Sequence, residues 1–293
     1  MVTCLFLLSS TFLFAQRKAL PTPNLANISY GAHERQVLDI WLADTTEATP
    51  LAIYIHGGGF VAGDKGRLNA WLLHELLSAG ISVAAVNYRF IKHAPLPAAH
   101  HDVLRALQFI RLNSKEWKID KTNIAAFGSS AGAQLSMWLA FSDEMAKPKS
   151  KDPIERESSR LTCVATSGGQ TTMHMELWRE WVPEFVKYGT PQDEFYGKQS
   201  RRKRKKTIDR ISAFSIISSD DPPIFMKYGM PPEEAVPENT KKANGWKVHH
   251  VNFGIKLKER MDELGLESHL KYPGADVKFE NQADFLKSKL LKQ

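Results

Sequence analysis

The fold of this chain turns on Asn123-Ile124-Ala125-Ala126-Phe127-Gly128-Ser129-Ser130-Ala131-Gly132 and the run that follows to Ala140. Asn123 to Phe127 is a short apolar run of the kind that forms a strand buried on both faces, and Ala131 to Ala140 has the composition of an apolar helix. Between them lies G-x-S-x-G in strand–turn–helix context. The turn is so sharp that side chains at 128 and 132 would collide with neighbouring backbone. Ser130 must hold a strained conformation that projects its hydroxyl. The helix N-terminus behind it favours developing negative charge. Ser130 is the candidate nucleophile.

Upstream, His56-Gly57-Gly58-Gly59-Phe60 ends a second apolar run, Leu51 to Ile55. Consecutive glycines let backbone N–H groups turn toward a ligand, and beside a serine nucleophile such a loop serves as an oxyanion hole. A phosphate loop is excluded: Gly58 and Gly63 have the spacing, but Asp64 separates Gly63 from Lys65 and breaks the required Gly-Lys pair. The two motifs occur in the order that acyl-transfer chemistry uses.

Further strands are expected at Gln36 to Ala43, Ile81 to Val86, Leu161 to Ala165, Ile224 to Tyr228 and Ser268 to Tyr272. Val103, Ala106, Leu107 and Ile110 recur at helical spacing, as do Phe253, Leu257, Met261 and Leu264 before the helix-ending Gly265. Alternating strands and helices imply an α/β fold, a doubly wound and mostly parallel sheet. Two segments interrupt it. Ser142 to Arg160, charged and holding Pro148 and Pro153, reads as a surface loop. Residues 171–212 read as a small cap insertion with an aromatic stretch (Trp178, Trp181, Phe185, Tyr188, Phe195, Tyr196), which either lines a pocket or packs the insertion itself.

HGGGF at 56–60, NYRF at 87–90 and NIAAFGSSAGAQLS from Asn123 together resemble the α/β-hydrolase superfamily, with its hormone-sensitive-lipase-like and feruloyl-esterase-like carboxylesterases. The resemblance spans about residues 30–293 and is most specific between 51 and 140. It implies Ser130 as nucleophile and the Gly58, Gly59 and Ala131 amides as oxyanion hole. It further implies small esters or acylated sugars as substrates, with no cofactor.

The chain departs from that pattern at the other two triad positions. Where the family has its aspartate, after Ile224 to Tyr228, stands Pro232; where it has its histidine, near the C-terminus, stands Val277. Glu233 or Glu234 is a substitute carboxylate. His249-His250 precede the helix after the same loop, on the side of the sheet where the elbow lies, and His250 is the tentative base. Solvation or capping of the helix start is the plainer reading for that pair. His100-His101 open another helix, His56 is expected to brace the glycine loop, and His269 to pack in a strand. Two functions follow: a serine carboxylesterase with an atypical triad, or a hydrolase-fold protein that has lost catalysis and binds an acyl or saccharide ligand.

Composition narrows the classes. With 43% hydrophobic and 24% charged residues in 293, the chain is neither disordered nor collagenous, and long enough to bury a core without disulfides. The net charge of +7 resides largely in Arg201 to Lys206, expected as a solvated loop, so no nucleic-acid partner is expected. Residues 1–15 read as a signal peptide, 16–293 as the hydrolase domain, and the location as secreted or periplasmic. Leu5 to Ala15 is too short for a membrane span. Cleavage would remove Cys4 and leave Cys163 alone. No metal site is indicated, since His74-Glu75 and His174-Met175-Glu176 lack a second histidine at zinc-protease spacing. Oligomeric state is not legible in the sequence.

Overall fold

Strand and helix patterns resolve into one eight-stranded sheet within the described residues, 20–187 and 189–291 of a computed structural model. The leader expected at 1–15, with Cys4, and Tyr188 of the insertion lie outside the described residues. The strands are β1 (Leu25–Ser29), β2 (Val37–Trp41), β3 (Thr49–Ile55), β4 (Ser82–Val86), β5 (Ile119–Ser129), β6 (Cys163–Ser167), β7 (Ile224–Lys227) and β8 (Ser268–Lys271). Their order is β1-β2-β4-β3-β5-β6-β7-β8. β2 pairs antiparallel with β1 and β4, and the remaining pairs are parallel. The doubly wound, mostly parallel sheet expected from the sequence is present.

β1 is the strand that the hydrophobic pattern does not mark. It is a half-exposed edge, and its pairing with β2 is irregular between Leu25 and Ile28. Asn27 sits there at φ 53, its amide donating to Asp39 Oδ1 at 2.7 Å.

Side chains of the central strands divide strictly by parity. Leu51, Ile53 and Ile55 of β3 join Ile124 and Ala126 of β5 in one core cluster, while Ala52 and Tyr54 join Ala125 and Phe127 in the other. Each face is covered by helices: Ala98–Leu112 and Ala131–Phe141 on the first, Ala70–Ser78 and Gln282–Leu290 on the second. Each fully buried aliphatic side chain here stabilises the fold by about 1.5–3 kcal/mol. The continuous apolar runs read in the sequence are continuous because both faces are buried.

Ser142 to Arg160 is irregular apart from one short 3₁₀ turn, Ile154–Arg156. Residues 171–212 carry the helices Met175–Trp181, Gln192–Tyr196 and Arg201–Ile211. The basic run is therefore not a loop. Arg and Lys are good helix formers, Ser200 caps the helix by accepting the Lys203 amide at 3.4 Å, and Ile208 and Ile211 anchor it in the core. Arg204 pairs with Asp193 and Lys205 with Asp209. Its outer face remains solvated, as the charge requires.

Candidate active site

Ser130 follows β5 directly and opens the helix Ala131–Phe141, with φ 52 and ψ −124. That is left-handed space for a non-glycine residue, a conformation that costs about 1–3 kcal/mol and persists only where surroundings enforce it. The enforcement is visible. Ser130 N–H donates to Ser167 O at 2.9 Å, and Ser130 O accepts the first helical bond from Gln134 N at 3.0 Å. Behind it, a Cβ on Gly132 would lie 2.0 Å from Ile55 O and 2.7 Å from His56 O. The elbow thus rests against the end of β3, where the glycine loop begins.

That loop turns back through Gly58 (φ 123), Gly59 (φ 61) and Phe60 (φ 63). Gly58 O accepts from the Val61 and Ala62 amides, both at 3.0 Å, and a side chain at 58 would collide with Ala62 O at 1.9 Å. Among the described residues the Gly58, Gly59 and Ala131 amides donate to no acceptor. The NYRF segment supports the loop. Asn87 accepts from Lys65 N at 2.7 Å and donates to Asp64 Oδ2 at 2.8 Å; Tyr88 OH donates to His56 O at 2.8 Å. Arg89 is held by the buried Asp102 carboxylate at 2.6 Å. His56 is a brace, as expected. It stacks on Tyr88 at 4.3 Å, and its Nδ1–H donates to Gly57 O at 2.8 Å. Burial pulls its pKa down to about 4, so it stays neutral.

Ser130 lies where two cavities meet. One, narrow and of about 30 Å³, is walled by Gly59, Phe60 and Ala131 on the sheet side and by Met173, Met175 and Trp178 of the insertion. Phe195 and Tyr196 also line it, whereas Trp181 and Phe185 pack inward against Phe214 and Trp178. The aromatic stretch does both things the sequence allowed. The second cavity, about 540 Å³ and open, is bounded by Ser167, Gly168, Met230, Lys242, Trp246 and His249.

The histidines fall out differently from the sequence expectation. His250, the tentative base, is fully buried, lines neither cavity, and accepts the Asn252 amide on Nδ1 at 3.1 Å. Its ring packs edge-on against Trp246 at 4.4 Å, its Nε2 has no partner, and burial pulls its pKa to about 4. Its neighbour His249 faces the Ser130 cavity instead. The two residues follow the helix Thr240–Val248, where successive side chains diverge by about 100°. Only one of them can face the cavity. His249 Nδ1–H donates to Gly168 O at 2.8 Å, and burial lowers its pKa below the usual imidazole value of 6.5. No histidine nitrogen of the described residues is within hydrogen-bond distance of Ser130 Oγ.

His100 is sealed in the core with its Nε2 on Gln134 Oε1 at 2.9 Å, and burial takes its pKa to about 3. His269 in β8 pairs with Glu267 at 2.8 Å. Neither Glu233 nor Glu234 contacts a histidine among the described residues; both are exposed, and Glu234 accepts from the Trp246 indole at 3.1 Å. Val277 lines a separate cavity beside β8. The slots that Pro232 and Val277 occupy are empty of acid and base chemistry.

One trio with metal-ligand donors, His33, Glu34 and His93, comes together on two loops outside these cavities. Both imidazoles accept a backbone amide on Nδ1, from Arg35 at 3.1 Å and Phe90 at 3.2 Å. Cys163 is buried in the core and its thiol is pushed up to about 12 by burial, an unreactive position. No helix of the described residues is long and apolar enough to cross a membrane.

A strained serine at a strand–helix elbow, abutting a glycine loop on the neighbouring strand of a β1-β2-β4-β3-β5-β6-β7-β8 sheet, defines an α/β hydrolase. The family model described as BD-FAE matches residues 38–243, and the chain belongs to that family. It is 28% identical over 214 residues to LipM of Mycobacterium tuberculosis, described as a probable carboxylic ester hydrolase, across 69% of this chain and 47% of LipM. It is also 28% identical to the ethyl acetate hydrolase of Pseudomonas putida, across 61% of this chain and 58% of that one. The chain thus spans about half the length of these relatives. Among solved structures, a truncated carbohydrate esterase from gut microbiota superposes with a TM-score of 0.71 at 22% identity, over 94% of this chain and 100% of that one. At that identity the likeness speaks for the fold.

Proposed function

We propose that this protein is a serine carboxylic-ester hydrolase that forms an acyl-enzyme on Ser130 and acts on small esters or acylated sugars. The observation that carries this reading is the convergence, at one apolar cavity, of Ser130 at φ 52 with the uncommitted amides of Gly59 and Ala131. Gly58 adds a third amide from the same loop. As Ser130 Oγ attacks the ester carbon, negative charge develops on the carbonyl oxygen, and these amides receive it. One such donor is worth about 2.7–4 kcal/mol in the transition state. The acyl group occupies the narrower, apolar cavity, and the alcohol or sugar leaves through the wider, open one. The segment 171–212 is the cap over the acyl side. Family membership and the esterase relatives support the same chemistry. Residues 1–15 serve as an export leader in this reading, with the mature domain beginning near residue 16.

The second reading, a binder of acyl or saccharide ligands without catalysis, draws on Pro232 and Val277 at the usual acid and base positions. One experiment separates the two. Ser130→Ala is expected to lower p-nitrophenyl acetate hydrolysis by about 10³-fold or more and to abolish labelling by a fluorophosphonate probe. Equal rates for parent and variant, with no labelling of the parent, would leave the binder.

A further inference from the structure

We infer that His249, oriented by the backbone carbonyl of Gly168 instead of a carboxylate, is the general base for Ser130. The inference rests on the serine-esterase reading and supplies the member that the family pattern lacks. Among the described residues, His249 is the histidine that lines either cavity holding Ser130.

Two consecutive carbonyls at the end of β6 hold the two reacting groups. Ser167 O accepts the Ser130 amide at 2.9 Å, and Gly168 O accepts His249 Nδ1–H at 2.8 Å. Nδ1 lies 2.8 Å from the Gly168 carbonyl and 3.3 Å from the Gln170 amide nitrogen; the shorter contact is to a group that only accepts, which puts the proton on Nδ1 and the lone pair on Nε2, the tautomer that a base requires. The support is itself held. Gly168 N–H donates to Lys227 O at 2.8 Å, and Gln170 Nε2 donates both to Gly168 O at 3.2 Å and to Val248 O, the residue before His249. Gln170 therefore ties the histidine's own backbone to the carbonyl that orients its ring. It is a positioning residue.

In acylation, with the His249 ring drawn into hydrogen-bond reach of Ser130 by bound substrate or linked to it through one water, Nε2 takes the Ser130 Oγ proton as the Oγ–C bond forms, and the carbonyl π electrons move to the oxygen facing the amides. The ester C–O bond then breaks, and the leaving alcohol takes the proton from His249. Deacylation repeats the sequence, with water in the place of the serine hydroxyl and Ser130 leaving. A neutral carbonyl fixes the tautomer as an aspartate would, but stabilises the imidazolium less. Lys242, the charged residue lining the same cavity, does not offset this.

The test compares the parent with His249→Gln, His250→Gln and Gln170→Leu on p-nitrophenyl acetate across pH 4–9, with fluorophosphonate labelling and near-UV circular dichroism as a check on folding. His249→Gln is expected to lose about 10²–10⁴-fold in kcat/KM, the worth of a general base, and to lose the acidic limb of the parent profile. That limb has its midpoint below 6.5, because burial lowers the His249 pKa and the neutral ring is the active one. Gln170→Leu is expected to lower kcat/KM while keeping a titrating limb. Imidazole added to a His249→Gly variant restores part of the rate. Should folded His249→Gln keep the parent's rate and limb, or His250→Gln be the variant that loses them, the assignment is overturned. Loss of activity in Ser130→Ala with His249→Gln unimpaired overturns only the base; an unimpaired Ser130→Ala overturns the esterase reading itself.

Discussion

At the scale of single residues, the site is set by close approach. The elbow and the glycine loop meet at Gly132, whose missing Cβ leaves room for Ile55 O, 2.0 Å from where that Cβ would be, and for His56 O. Gly132→Ala forces backbone to move at two functional loops at once. It is expected to destabilise the fold by about 1–3 kcal/mol, seen as a lower thermal midpoint, and to reduce ester hydrolysis by more than the stability loss explains. An unchanged melting curve would show that the contact is easily relieved. Ser130 was legible in the sequence because its signal is local: small residues on both sides, a strand before and a helix after. The choice between His249 and His250 was not. Both are histidines at the end of one helix, and only the packing of His250 against Trp246 decides which ring turns toward the serine.

At the scale of elements, residues 171–212 wall one side of the narrow cavity at Ser130. Its first helix, Met175–Trp181, presents Met175 and Trp178 to the cavity while Trp181 and Leu177 anchor it. Met175 is only half-buried, so shortening it enlarges the cavity at modest cost to folding. Met175→Ala is expected to raise the kcat/KM ratio of p-nitrophenyl octanoate to acetate by about tenfold, within the range that a methylene or two is worth in an apolar pocket. An unchanged ratio would place the acyl chain elsewhere. The basic helix Arg201–Ile211 illustrates what pattern reading misses: six like charges in sequence suggest a loop, but Ser200 at its cap and Ile208 and Ile211 on its inner face make a helix. Those two isoleucines are spaced three apart, a signal masked by the charge around them.

For the whole molecule, two histidines are buried in neutral form beside the sheet. His56, with a pKa pulled to about 4, and His100, pulled to about 3, are held neutral chiefly by burial. Unfolded, each would take up a proton near 6.5. The unfolded state therefore binds more protons between those values, and their contribution to stability is complete above pH 6.5 and lost as pH falls toward 4 and below. Thermal unfolding is expected to show a midpoint that falls steadily from pH 6.5 to 4, with proton uptake on unfolding in the same window. A midpoint constant down to pH 4 would mean that these rings are not held neutral.

By itself the sequence determined the sheet, seven of whose strands it marks, three of them by continuous apolar runs, together with the elbow at Ser130 and the glycine loop at 56–60. These are short-range features, carried by backbone sterics and by burial on both faces. Tertiary structure alone decided which histidine shares a cavity with Ser130, what holds its proton in place of an acid, and which insertion aromatics face the site. Those depend on the directions in which neighbouring side chains leave a helix end and on carbonyls brought from a different strand. Sequence spacing carries no record of either.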